Sequence, residues 1–248
     1  CGDVRAEALA AGLARHFGGW EGGSPRSPRP PVPERPLAGA RTILIDRPGS
    51  AQAELRIGTI GAPYDSEDHH AIVMANAILG GLFNSRINMN LREDKGWTYG
   101  ARSGFRFRRG AGPFVVRTAV ETRVTADALR EMLDETARMR EEPPNADEMR
   151  LAANALTLSL PRQFETASQV TRRVARQFIY DLPPDYWERY REHIEAVTPE
   201  QVREICRTYL AEDRLVLLAV ADADAVAADL GRMGPHERRS APGGRPAS

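Results

Sequence analysis

Leu79-Gly80-Gly81-Leu82-Phe83-Asn84-Ser85-Arg86, followed closely by Leu91-Arg92-Glu93-Asp94-Lys95-Gly96-Trp97-Thr98-Tyr99, is the stretch on which the architecture turns. Ahead of it, Ile72, Val73, Ala77 and Leu79 recur at helical spacing, and the glycine pair 80–81 ends that helix. Asp65 or Ser66 reads as its cap, and Glu67 and Asp68 in the first turn suit the positive end of the helix dipole. A second, shorter helix is predicted over residues 85–94. Gly96 stops it, because glycine enters a left-handed cap without a Cβ clash. Residues 98–108 read as the strand that follows. Arg92 therefore falls in the last helical turn and Tyr99 at the start of the strand, on either side of one corner.

On the N-terminal side, residues 41–46 and 53–60 read as strands joined through Pro48-Gly49. On the C-terminal side, residues 113–122 form a strand, reached through Arg109-Gly110-Ala111-Gly112. From Thr125 the pattern is helical. Pro143-Pro144 stops one helix, Asn145 with Glu148 makes a capping box for the next, and further helices lie near 168–180 and 185–197. Thr198-Pro199-Glu200-Gln201 combines a cap, a proline at the first helical position and a glutamine three residues after the cap. Residues 214–220 read as a last apolar strand and 223–233 as a weak helix. Paired strands, a run of helices and a closing strand indicate an α+β fold, a mostly antiparallel sheet covered by helices. At the start, a helix over 3–17 carries Leu9, Leu13 and Phe17, and is read as the last element of a preceding, mostly missing domain spanning 1–20. Residues 21–36, rich in Pro, Gly, Ser and Arg, have the composition of a linker. The main domain is expected over 37–233 and a disordered tail over 234–248.

Composition narrows the chemistry. Hydrophobic residues make up 42% and charged residues 27% of the 248, enough for a globular core. A formal net charge of +0 gives no field for nucleic acid or an anionic membrane. No apolar run approaches the roughly 18 residues of a membrane span. Cys1 and Cys206 are too few for a disulfide framework, and Cys206 reads as a small buried hydrophobe. A G-x-S-x-G elbow is absent, and the glycines of 58–61 and 110–112 lack phosphate-loop spacing. The histidines are His16, His69, His70, His193 and His236, and neither H-E-x-x-H nor H-x-x-E-H occurs. His69 and His70 are adjacent, so on a helix they point about 100° apart; four beyond His70 stands Met74. The pair reads as a solvated helix start, and no metal site is expected in the chain.

The central motif resembles the pitrilysin/insulinase family of zinc peptidases, whose metal motif is the inverted H-x-x-E-H. The likeness is to the second domain of one half-molecule: a helix ending in Leu79-Gly80-Gly81, then Ser85-Arg86, then Leu91-Arg92-Glu93, Gly96 and Tyr99. The flanks agree, with His16-Phe17-Gly18-Gly19-Trp20 similar to the end of the preceding domain and residues 45–52 to the opening of the second. This resemblance implies a clam shell of two halves around a peptide substrate. Zinc, its histidines and a glutamate base would come from another domain or a partner subunit, in a hetero- or homodimer. It further implies that Arg92 and Tyr99 reach toward the zinc domain and bind the substrate carbonyl. A guanidinium and a phenol are both donors at neutral pH, and two donors on a developing oxyanion stabilise it more than a neutral carbonyl. Taken singly, Arg92 also suits a helix C-terminus and Tyr99 a half-buried strand. Two rivals stand beside the peptidase reading: a non-catalytic scaffold like the core subunits of the respiratory cytochrome complex, and a peptide-binding module.

Overall fold

The computed structural model describes residues 1–23 and 39–241. In chain order the elements are α1 (Ala6–Phe17), β1 (Arg41–Asp46), β2 (Gln52–Ile60), α2 (His69–Asn76), α3 (Arg86–Asn88), β3 (Ala101–Phe105), β4 (Pro113–Glu121) and α4 (Thr125–Glu141). Then follow α5 (Ala146–Leu158), α6 (Ala167–Tyr180), α7 (Tyr190–Glu195), α8 (Pro199–Tyr209), β5 (Val216–Ala221), α9 (Ala223–Met233) and β6 (His236–Ser240).

Strict alternation in the strands decides which sheet face is buried. Leu55 and Ile57 of β2, Phe114 and Val116 of β4, Ala219 of β5 and Leu44 of β1 turn to one side and are fully buried. Against them pack Ile72 and Met74 of α2, Leu129 and Met132 of α4, Val202 and Cys206 of α8, and Val226 and Leu230 of α9. Each large side chain so removed from water contributes about 1.5–3 kcal/mol. Cys206 is the buried hydrophobe expected, and burial pushes its thiol up to about 12. The opposite face, carrying Glu54, Arg56, Arg117 and Arg102, is uncovered.

The strands lie in the order β3-β4-β2-β5-β1-β6. Neighbours from β3 to β5 run antiparallel, whereas β1 runs parallel to both β5 and β6. The sheet is thus mostly antiparallel with helices on one face. The last apolar strand, β5, sits between β2 and β1. Capping boxes at Asn145/Glu148 and Thr198/Gln201 form as read, and a third, unanticipated one starts α6 with Thr166 and Gln169.

Several boundaries differ from expectation. Residues 236–240, read as part of a disordered tail, form β6 along β1. An edge strand needs one ladder of backbone bonds, not an apolar face, and Arg238 fastens it by bridging Asp46 and Asp224. The α2 helix begins at His69, so Glu67 and Asp68 precede it; Ser66 Oγ instead accepts the Asp68 amide at 3.3 Å. Of the helix expected over 185–197, Tyr190–Glu195 is helical, following a turn behind Pro183-Pro184. Strand β3 starts at Ala101, because Thr98 and Gly100 bond to each other and hold the chain in a turn. The linker expected over 21–36 lies outside the described residues from 24 onward, as does the tail from 242. Helix α1 buries none of its residues, leaving Leu9, Leu13 and Phe17 exposed. Among the described residues no helix is long and apolar enough to cross a membrane.

Candidate functional site

The predicted corner exists, and tight packing fixes its shape. After α2 the chain widens into a π-helical turn, Ala77–Gly81. Here the glycines do more than end a helix: a Cβ on Gly80 would lie 2.7 Å from the Ser103 nitrogen, so glycine alone lets this turn approach β3. Ser103 Oγ donates to Asn76 Oδ1 at 2.8 Å across the same contact. The short helix α3 then runs into a second π-helical turn, Met89–Asp94, with Ile87 and Leu91 fully buried beneath it. Such widened turns lack the regular i→i−4 ladder and recur at functional sites.

Two polar clamps tie this segment to the body. Asn88, buried, donates to the Phe83 carbonyl at 2.7 Å and accepts the Ala101 amide at 3.0 Å, joining the loop before α3 to the first residue of β3. Arg86 forms a two-pronged ion pair with Glu148 of α5, at 2.6 and 2.9 Å. Burial works against the charge of both, yet the pairing wins, holding Arg86 above and Glu148 below their ordinary pKa values. Lys95, the only lysine, meets Glu131 of α4 at 2.8 Å and lies over the Trp97 ring, so it and Trp97 serve the frame.

Arg92 and Tyr99 flank the reversal. Gly96 takes φ +66°, the left-handed cap expected, and its amide donates to the Arg92 carbonyl at 3.2 Å. The Arg92 guanidinium lies 4.5 Å from the centre of the Phe83 ring, with Glu93 at 3.5 Å. Tyr99 stands two residues before β3 with 94% of its surface exposed, so it is not a half-buried strand aromatic. Phe83 is 59% exposed and Met89 is open too. Phe83 orients Arg92 from nine residues away, a contact that helical spacing does not announce.

The histidine pair departs from its reading as a solvated helix start. His69 is only 7% exposed, packed 4.3 Å from Phe107 and 4.5 Å from Tyr64, with Tyr180 stacked on Tyr64 at 4.1 Å. His70 faces His193 at 4.8 Å. Burial, with His70 and Arg176 nearby, pushes His69 down to about 3; burial and His193 push His70 down to about 4. Both are neutral at pH 7. The zinc of the family does not fit this cluster: the His69 and His70 rings stand nearly perpendicular at 5.4 Å, and among the described residues no three His, Cys, Asp or Glu side chains converge as ligands.

A family profile described as the Peptidase M16 inactive domain matches residues 1–156. The crystal structure of a peptidase M16 inactive domain from Pseudomonas fluorescens is similar, with 27% identity and a TM-score of 0.75 over 89% of this chain and 52% of that one. A protease from Helicobacter pylori, 16% identical, shares the fold with a TM-score of 0.79 over 89% of this chain and 53% of that one. So does a chain of complex III2 from Candida albicans, at 15% identity and 0.62, over 80% and 50%. The chain spans about half the length of each of these structures. Comparison with curated proteins gives no match. The profile covers well over half of the sequence, on residues that include the whole Leu79–Tyr99 motif; the chain belongs to the Peptidase M16 inactive domain family, within the pitrilysin and insulinase peptidases that its motif resembles.

Proposed function

We propose that the chain is the Arg/Tyr-bearing domain of a zinc metallopeptidase, binding a peptide substrate and stabilising the oxyanion of its tetrahedral intermediate. In this reading zinc, its ligands and the base that activates water belong to another domain or to a partner subunit of the same family, and the chain alone cleaves nothing. Arg92 and Tyr99 donate to the carbonyl oxygen as it gains charge. The observation that carries the reading is the contrast at the corner: a frame locked by Asn88 and by Arg86–Glu148 presents a tyrosine almost wholly to solvent. Packing does not account for that exposure, whereas docking against a partner does. The exposed apolar stripe of α1 supports its assignment to a preceding domain.

The test is Tyr99→Phe in the assembled, zinc-loaded peptidase, which keeps the ring and deletes only the donor. A donor used only in the transition state acts on kcat, not on resting affinity. The expected loss in kcat is about 10²–10³, with zinc content and circular dichroism unchanged. An unaltered kcat in a folded, metal-loaded preparation would remove Tyr99 from the chemistry and favour the scaffold reading.

A further inference from the structure

Strand register lines up three arginines on the uncovered face of the sheet. Arg102 of β3 lies opposite Arg117 of β4, and Arg117 lies opposite Arg56 of β2. Beyond Arg56 the same row continues as Leu218 and Ile43. Like charges placed directly opposite disfavour a sheet, and strands stand about 4.8 Å apart. Folding therefore gives no reason to gather these guanidinium groups.

The adjacent row supplies a floor of Gly104 and Val115, and a Cβ on Gly104 would meet nothing within 4 Å. Exposed Arg106, just past the end of β3, completes a trough of about 640 Å³. Of its four arginines, Arg56 meets a carboxylate, Glu54, at 3.7 Å with both side chains half exposed. Arg102, Arg106 and Arg117 form no ion pair among the described residues. The edge of β3 is closed to strand addition by the Ala77–Gly81 turn and by Asn88 on the Ala101 amide. An occupant must lie on the face.

We infer that this trough binds the carboxylate side chains of an acidic segment of the peptide substrate; the inference rests on the peptidase reading for the occupant being a peptide. Guanidinium forks match carboxylates in geometry and charge. Same-side residues of an extended peptide recur roughly every 7 Å, so an acid-x-acid pair fits within a three-arginine row spanning roughly 10 Å. Arg102 follows Tyr99 by three residues, at most roughly 10 Å of chain, which places the acids a few residues from the reacting centre. Single-stranded nucleic acid requires open aromatic faces for its bases, and Phe105, the aromatic lining the trough, is taken up by Phe107 and Phe114.

Fluorescence anisotropy on this chain tests the idea, using labelled eight-residue peptides that alternate glycine with Glu, Gln or Lys, and an oligothymidylate of equal length. The Glu peptide should bind and the Gln and Lys peptides should not, with affinity falling as salt rises past about 0.1 M. Arg102→Gln and Arg117→Gln should each weaken binding roughly fivefold, typical of a half-exposed ion pair, without lowering the urea midpoint, since each relieves repulsion. Arg102→Glu with Arg117→Glu should transfer preference to the Lys peptide. Equal binding of Glu and Gln peptides, or arginine variants that bind like the parent, would overturn the inference. So would tighter binding of the oligothymidylate than of the Glu peptide. The assay needs neither zinc nor turnover, so its failure is separable from that of the catalytic reading. Intact Glu-peptide binding beside a Tyr99→Phe variant of unchanged kcat sinks only the catalytic reading, and absent Glu-peptide binding beside a Tyr99→Phe variant of lowered kcat sinks only the trough.

Discussion

Tyr99 and Arg92 differ in how they are held, and the difference sets what each substitution would do. Arg92 rests on the Phe83 ring, 4.5 Å from its centre, while the Tyr99 ring has almost its whole surface in solvent. A cation over an exposed aromatic face is worth about 0.5–1 kcal/mol. That is too little to matter for folding but enough to bias one side-chain position. Phe83→Ala should therefore leave the unfolding free energy within about 1 kcal/mol of the parent, yet lower kcat/KM of the assembled enzyme roughly three- to fivefold by letting Arg92 wander. A stability loss of several kcal/mol, or unchanged turnover, would show that Phe83 does something else. The corner itself was legible in the sequence because its determinants are local: Gly96 needs its positive φ, and Leu91 at the helix end is core. The partner ring was not legible, since Phe83 meets Arg92 through the fold of an irregular loop.

Among the elements, the joint between α3 and β3 depends on one amide. Asn88 satisfies the Phe83 carbonyl and the Ala101 amide at once, in a buried setting. Leaving the buried Ala101 amide unpaired costs about 1–3 kcal/mol, and the part-buried Phe83 carbonyl less. Asn88→Ala should thus destabilise the domain by roughly 2–4 kcal/mol in urea unfolding, and hydrogen exchange at the Ala101 amide should accelerate more than at neighbouring β3 amides. A midpoint unchanged from the parent would mean that water replaces the clamp. Element types were readable where periodicity or capping is strong, as at Asn145/Glu148 and Thr198/Gln201. Strand β6 was not, because His236-Glu237-Arg238-Arg239-Ser240 has no apolar alternation, and its stability comes from β1 and from Arg238 reaching Asp46. The arginine row was hidden for a related reason: register between β2, β3 and β4 is a property of pairing, not of any one segment.

For the molecule as a whole, the aromatic–histidine cluster predicts the acid limit. His69 and His70 titrate near 3 and 4 in the folded state, below the 6.5 of a free imidazole. Between these values the unfolded chain binds more protons than the folded one, so protons favour unfolding. The sign is then fixed: stability is full above about pH 6.5 and falls as the pH drops toward 4. At about 1.4 kcal/mol per unit for a buried group, and less for half-buried His70, the loss by pH 4.5 should be roughly 2–5 kcal/mol. Urea melts at pH 7.5, 6 and 4.5 measure it. His69→Phe with His70→Phe, which keeps aromatic packing, should flatten the profile; an unflattened slope would assign acid sensitivity to other groups.

The place of β5 between β2 and β1 bears on how the protein is born. Residues 41–60 leave the ribosome well before the strand that must slot between them, Val216–Ala221. Until then both partners have a bare hydrogen-bonding edge and an unfinished core, the condition in which nascent chains stick to one another. Vectorial folding from the N-terminus can therefore not complete this sheet. Closure waits for Val216–Ala221 and is slowed by the long loop it has to span, and a chain truncated before Val216 lacks the strand that joins β1 to β2.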